Sequence, residues 1–168
     1  MLRRLWQRIR PPQLVVWITP ELALGPSFHE WQAHLLVKAG IGSVIDVRSE
    51  ASDDEGGLAR RDIHFYHVPV DDLKPPTREQ LQGATKWALD EIAAGRKIYV
   101  HCRSGIGRSP CLACAILMAI GYPLVDAYGA VRRQRPWATL TNGQWGALRQ
   151  FEGDFRSERA PKPGSPQP

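Results

Sequence analysis

Apolar positions along this chain fall into short runs, separated by stretches in which they recur with helical spacing. The runs Leu14–Ile18, Ser43–Val47, Ile63–Val68 and Lys97–His101 are brief, rich in Val, Ile or aromatic residues, and bounded by Gly, Pro or charge, which predicts strands. Helical patterns cover Phe28–Ala39, Thr77–Ala94, Ser109–Ile120, Leu124–Arg133 and Asn142–Glu152. End signals agree with these spans: Thr77 with Gln80 reads as a capping box, Gly95 and Gly121 as stops, and Asn142 as an N-cap. Strands alternating with helices predict an α/β fold: a single domain whose central, mainly parallel sheet of four to five strands is flanked by helices.

The pattern changes at both ends. Leu2, Leu5, Trp6 and Ile9 share one helix face, and Arg3, Arg4, Arg8 and Arg10 are the charges around them. Residues 1–12 therefore read as a basic amphipathic segment stopped by Pro11 and Pro12. Such a segment can pack on its own domain, make weak contact with an acidic membrane through residues 2–10, or act as a presequence. The tail, residues 156–168, combines Pro, Ser, Gly and charge with almost nothing apolar, which predicts disorder and leaves residues 13–155 as the folded domain.

Composition narrows the class. A chain of 168 residues, 43% of them hydrophobic, has the size and apolar content of one domain with a full core. The longest apolar helical run, Leu112–Ile120, is far shorter than the roughly 18–20 residues that span a bilayer. Three cysteines, two of them on one helix, do not form a disulfide framework, which favours a reducing, cytoplasmic setting. Peripheral membrane association or organelle targeting through the basic start is the variant of that expectation. The net charge of +5, from 22 basic against 17 acidic residues, suits anionic partners: nucleic acid, phosphorylated protein or acidic lipid.

The stretch His101–Pro110, HCRSGIGRSP, sits where a strand gives way to a helix, the usual ligand position in a parallel sheet. Its two glycines allow backbone amides to turn inward, and the helix that follows aims its positive end at the same point. Cys102 opens this anion cradle and Arg108 closes it. A thiol of pKa about 8.5 is only a few per cent ionised at pH 7, but beside positive charge at a helix start it falls to about 3.5–7.5. Arg108 can hold two oxygens of a phosphate in its planar fork. A thiolate beneath a captured phosphate is placed for in-line attack, giving a cysteinyl-phosphate intermediate without metal or other cofactor.

HCRSGIGRS resembles the His-Cys-x5-Arg-Ser/Thr signature of the protein tyrosine phosphatase superfamily, and its context is similar to the dual-specificity branch. The resemblance implies a phosphotyrosine protein phosphatase-like fold and assigns roles. Cys102 would be the nucleophile and Arg108 the phosphate clamp. His101 would help to acidify the thiol, and Ser109 would hydrogen-bond the departing thiolate. Arg103, Ser104, Gly105, Ile106 and Gly107, with Arg108, would line the phosphate. The family also implies an aspartate general acid about thirty residues upstream, on a loop after a strand. In HVPVDDLKPP, Asp72 fits the Val/Ile-Pro-x-x-Asp pattern best, with Asp71 as its neighbour and rival. SVIDVRSE and AVRRQRPWATLTNGQWGALRQFE resemble further parts of the same domain, so the likeness spans residues 14–152.

The substrate implied is a phosphotyrosine, phosphoserine or phosphothreonine protein. A phosphoinositide, an RNA 5′-phosphate, or binding of phosphate without turnover are the alternatives. A glycine turn around a buried cysteine leaves the matched spacing unexplained, and a rhodanese-like cysteine loop lacks the His-Cys-x5-Arg-Ser pattern. Cys111 and Cys114 read as core residues of the helix behind the loop, or as disulfide partners of Cys102 on oxidation. His29, His34, His64 and His67 form no pair at metal-ligand spacing. Arg132, Arg133 and Arg135 read as a solvated face, or as a site for a second phosphate.

Overall fold

A computed structural model describes residues 13–159; the basic segment expected at residues 1–12 and the tail from residue 160 lie outside the described residues. Five strands form one sheet: β1 (Val16–Trp17), β2 (Leu22–Gly25), β3 (Ile41–Arg48), β4 (His64–Val70) and β5 (Lys97–His101), in the spatial order β1-β2-β5-β3-β4. All neighbours are parallel except β1, which pairs antiparallel with β2 at the edge. The helices are α1 (Ala33–Lys38), α2 (Glu55–Ala59), α3 (Arg78–Ala93), α4 (Arg108–Ala119), α5 (Leu124–Gln134) and α6 (Asn142–Arg159).

Alternation along each strand divides the core into two layers. Leu22 and Leu24, Ile45 and Val47, and Ile98 and Val100 point to one face, where α3 and α4 cover the sheet and α5 and α6 pack against them. Ala23, Val44 and Tyr99 point to the other, where they meet Leu36 of α1 and Leu58 of α2. Helix α4 is buried along its whole length, because the sheet, α3, α5 and α6 surround it. That explains why RSPCLACAILMA is small and apolar on every side rather than amphipathic.

Several boundaries differ from those the pattern predicts. The run Leu14–Ile18 contributes only the two-residue edge strand β1, while LALG at 22–25, flanked by Pro20 and Pro26, forms the buried strand β2 that pairs with β5. The expected helix Phe28–Ala39 is a 3-10 turn at Glu30–Gln32 followed by α1. Helix α2, with two glycines in five residues, carries no amphipathic signal and is unpredicted. The capping box of α3 is present as read: Gln80 N donates to Thr77 Oγ1 at 3.1 Å and Thr77 N to Gln80 Oε1 at 2.9 Å. At α6 the cap is Thr141 rather than Asn142, with Gln144 N donating to Thr141 Oγ1 at 3.2 Å and Thr141 N to Gln144 Oε1 at 3.0 Å. Helix α6 runs on to Arg159, past the expected end at Glu152 and into the segment read as tail.

Because α4 supports the loop before it, its packing is testable. Ile116→Ala, at a fully buried position, is expected to cost about 2–5 kcal/mol of unfolding free energy, measured by urea denaturation.

Candidate active site

Strand β5, the central strand of the sheet, ends at His101, and residues 102–107 form the loop to α4. Each carbonyl of this loop has a partner from outside. His101 Nδ1 lies 3.3 Å from Cys102 O. The amide of Ser27, just beyond β2, donates to Arg103 O at 3.1 Å. Arg135, just beyond α5, donates to Ser104 O at 3.3 Å and to Gly105 O at 3.0 Å. Thr139 N donates to Ile106 O at 2.9 Å, and Cys111 N to Gly107 O at 3.0 Å within the helix start.

In a planar trans peptide the N–H points opposite to the C=O. With the carbonyls turned outward, the amides of Arg103 to Arg108 face the inside of the loop. Gly105 N donates to Cys102 Sγ at 3.2 Å, and no acceptor among the described residues takes the amides of Arg103, Ser104, Ile106 or Gly107. Gly105 makes this closure possible: its φ is +68°, and a Cβ there would lie 2.6 Å from Gly25 O and 2.8 Å from Arg135 Nη2.

Cys102 lies at the floor of the cradle, 2% exposed. Burial by itself pushes its thiol pKa up. The Ser109 hydroxyl at 3.3 Å, the backbone amides of Ser109 and Gly105, and the charge of Arg108 together outweigh that and bring it below the ordinary thiol value. The other thiols behave oppositely, because burial in α4 has no such compensation: Cys114 is pushed up to about 12 and Cys111 is also raised. All three cysteines are free thiols, and Cys111 and Cys114 belong to the core.

The guanidinium of Arg108 is 2% exposed and is held from one side. Glu50 accepts from Nη1 at 2.6 Å and from Nη2 at 2.8 Å, and Val70 O also accepts from Nη1 at 2.9 Å. The pairing holds the Glu50 carboxyl at about 2, so the clamp stays intact in mild acid. Arg108 Nε is left buried with no hydrogen-bond partner. Asp72 Oδ1 stands 3.5 Å from that nitrogen, on a carboxylate that is 72% exposed. Asp71 forms no such ion pair to Arg108. The loop carrying Asp72 is tied to the start of α6, where Thr141 Oγ1 donates to Leu73 O at 3.3 Å and Gln144 Nε2 to Lys74 O at 3.2 Å.

His101 is fully buried behind Cys102 and is paired with Asp53, Nε2 to Oδ2, at 2.6 Å. Asp46, Asp53 and His101 bring three possible ligand atoms within 4.8 Å of one another. Arg48 already donates to both carboxylates there, so the cation of this cluster is a guanidinium. The side chains of Arg103, Ser104 and Ile106 are exposed at the rim, and Gly107 is the N-cap of α4.

The structure brings the loop and Asp72 within 3.5 Å of each other, and the residues that brace them carry no sequence motif. Glu50 and Asp53 lie just after β3, on the neighbouring strand's carboxyl end, and that position in a parallel sheet was the available signal. Arg135 is half-buried against the loop rather than part of a solvated face, and Arg132 Nη1 donates to Ala138 O at 2.9 Å.

A thiol at the end of a central parallel strand, in a ring of inward amides closed by a buried arginine, makes an anion cradle with a nucleophile at its floor. The chain belongs to the dual specificity phosphatase family, whose catalytic-domain model matches residues 25–154. It is 28% identical over 158 residues to human Dual specificity protein phosphatase 5, a match that covers 91% of this chain and 38% of that protein. It is 29% identical over 153 residues to human Dual specificity phosphatase 28, covering 88% of this chain and 82% of the relative. Thus the chain spans well under half the length of the first relative and most of the second. Among solved structures, Tk-PTP in its active form superposes with a TM-score of 0.77 at 27% identity, covering 84% of this chain and 97% of Tk-PTP. PTPMT1 in complex with PI(5)P shares the fold with a TM-score of 0.81 at 19% identity, covering 88% of this chain and all of that one. Among the described residues, no helix is long and apolar enough to cross a membrane.

The contrast between the thiols gives a direct test. At neutral pH, iodoacetamide is expected to modify Cys102 ahead of Cys111 and Cys114, as read by peptide mass spectrometry. Because its pKa is lowered, Cys102 stays ionised below the ordinary thiol range and loses reactivity only as pH falls through the lowered value. Ser109→Ala removes the largest favourable contribution, so the alkylation midpoint is expected to move to higher pH.

Proposed function

We propose that this protein is a cysteine-dependent phosphatase that hydrolyses phosphomonoesters through a cysteinyl-phosphate intermediate, acting on phosphotyrosine, phosphoserine or phosphothreonine proteins. The observation that carries this reading is Arg108 Nε, buried without a hydrogen bond and with only the exposed Asp72 carboxylate 3.5 Å away, on the arginine that closes the loop of an acidified thiol. An oxygen of a bound phosphate would give this N–H an acceptor at hydrogen-bond distance, which Asp72 at 3.5 Å does not. The remaining equatorial oxygens take the amides of the loop.

In the first step the Cys102 thiolate attacks phosphorus in line, forming the S–P bond as the ester P–O bond breaks. Asp72 gives its proton to the leaving oxygen. In the second step the Asp72 carboxylate takes a proton from water as the water oxygen attacks phosphorus, and the S–P bond breaks. The departing thiolate receives the Ser109 hydroxyl hydrogen bond. Trigonal-bipyramidal charge is met by Arg108 and by amides already in position, so little reorganisation accompanies the reaction. Glu50 keeps the guanidinium plane fixed while Nε, which makes no hydrogen bond to Asp72, engages phosphate.

Cys102→Ser is expected to reduce hydrolysis of an aryl phosphate to background while inorganic phosphate still binds, and Arg108→Ala to lose both. Retained turnover in Cys102→Ser would overturn the mechanism, and a folded wild type that binds phosphate without releasing it from esters would make this a recognition module. Asp72→Ala is expected to lower kcat by about 10²–10⁴-fold and to remove the alkaline limb of the pH–rate profile. The limb lies on that side because the acid acts only when protonated, whereas the thiolate sets the acidic limb. An unchanged profile would move the role to Asp71. The exposed Arg103 on the rim suits a second negative group near the phosphate. Capture by Cys102→Ser of phosphopeptides, phosphoinositides and 5′-phosphorylated RNA separates the substrate classes.

A further inference from the structure

Behind the nucleophile lies a closed set of charged side chains that the reaction above does not use. Asp53 Oδ2 is 2.6 Å from His101 Nε2, and Asp46 Oδ1 is 4.0 Å from the same nitrogen. Arg48 joins the two carboxylates: Nε donates to Asp46 Oδ1 at 2.9 Å, and Nη2 to Asp46 Oδ2 at 2.8 Å and Asp53 Oδ1 at 2.9 Å. The Asp53 amide donates to Asp46 Oδ2 at 3.2 Å, closing the ring, and His67 Nε2 lies 2.6 Å from Arg48 O. The imidazole is wedged between Tyr99, stacked at 5.7 Å, and Phe28, edge-on at 5.2 Å. Its other nitrogen faces the carbonyl of Cys102.

We propose that Asp53, itself oriented by the Arg48–Asp46 pair, is a positioning residue for the phosphatase reaction, fixing the His101 ring so that it holds the Cys102 carbonyl outward and the sulfur within the amide ring. The proposal rests on the reading of Cys102 as nucleophile. Both imidazole nitrogens lie beside oxygens, Asp53 Oδ2 at 2.6 Å and Cys102 O at 3.3 Å, so a flip of the ring takes both away from those partners. Without the carboxylate, Nε2 loses its acceptor in a fully buried site, and a ring flip no longer costs a hydrogen bond. The Cys102 carbonyl is then held by one partner fewer, and the peptide that turns the Arg103 amide inward is free to rotate. Three burials argue that this is built rather than incidental: His101 and Asp46 are fully enclosed, and Asp53 is nearly so. Placing two carboxylates in a core is expensive unless each is paired, and here each has the guanidinium as partner.

The test is the pH dependence of Cys102 alkylation by iodoacetamide, which does not depend on turnover, in the wild type, Asp53→Asn and Asp53→Glu. Each variant is first checked for a native near-UV spectrum and cooperative melting. In Asp53→Asn the alkylation midpoint is expected to rise by about one unit, with about tenfold slower alkylation below it, and kcat to fall more than KM changes. Asp53→Glu, which keeps the charge, should lie between. The other groups that act on the Cys102 sulfur, the Ser109 hydroxyl, the Gly105 amide, Arg108, Arg135 and Tyr99, are the same in all three proteins. A superimposable alkylation profile in folded Asp53→Asn overturns the proposal. Should that variant not fold, the wild-type imidazole spectrum decides: a hydrogen-bonded, slowly exchanging Nε2 proton of His101 is expected, and a freely exchanging one overturns it. Retained activity in Cys102→Ser would instead remove the function on which the proposal rests, while the alkylation comparison would still read the geometry.

Discussion

Everything at this site depends on the planarity of six successive peptides. Once the carbonyls from Cys102 to Gly107 are satisfied on the outside, their amides have no choice but to converge on the inside. The partners that hold the carbonyls come from Ser27 after β2, Arg135 after α5 and Thr139 before α6, which are remote in sequence. The cradle therefore exists only when the sheet and the helical layer are both assembled. Leaving one buried carbonyl unpaired would cost about 1–3 kcal/mol, so each contact stabilises both the fold and the inward direction of an amide.

Electrostatics at the floor of the loop are a contest between burial and directed donors. Enclosure raises the thiol, and hydrogen bonds together with Arg108 lower it by more. In α4, one turn behind, the same enclosure acts on Cys111 and Cys114 without opposing donors, and both thiols rise. Three cysteines within thirteen residues thus split into one lowered thiol and two raised ones by the direction of nearby N–H and O–H bonds. The segment between β3 and α2 serves both sides of this arrangement. Glu50 grips the guanidinium in front of the sulfur, and Asp53 grips the imidazole behind it.

Much of this was legible in the amino-acid sequence, and the parts that were not have identifiable physical reasons. Strand β5, its loop and α4 were readable because strand, glycines and helix start each carry local signals. Asp72 is singled out by its fit to the family's Val/Ile-Pro-x-x-Asp pattern, with Asp71 as rival, and its carboxylate lies 3.5 Å from Arg108 Nε. Strand β2 was not readable, since LALG between prolines has no alternation to detect and is strand only because β5 pairs with it. Glu50, Asp53 and Arg135 carry no motif of their own. What selects them is adjacency across the sheet and around the loop, which the order β1-β2-β5-β3-β4 creates and the linear sequence hides. Asn142 is a good cap by residue type; Thr141 wins because Gln144 returns its hydrogen bond.

That Gln144 has a wider mechanical meaning. Its backbone and side chain lock onto Thr141, its amide nitrogen reaches Lys74 in the loop of Asp72, and its side chain lies against Gly107 of the cradle. Thr141 likewise reaches Leu73, and Thr139 just before it holds Ile106. The loops that carry Asp72 and Cys102 are thus mounted on one helix end. Thermal displacement of α6 moves both together, so it enters as common motion that cancels from the distance between them.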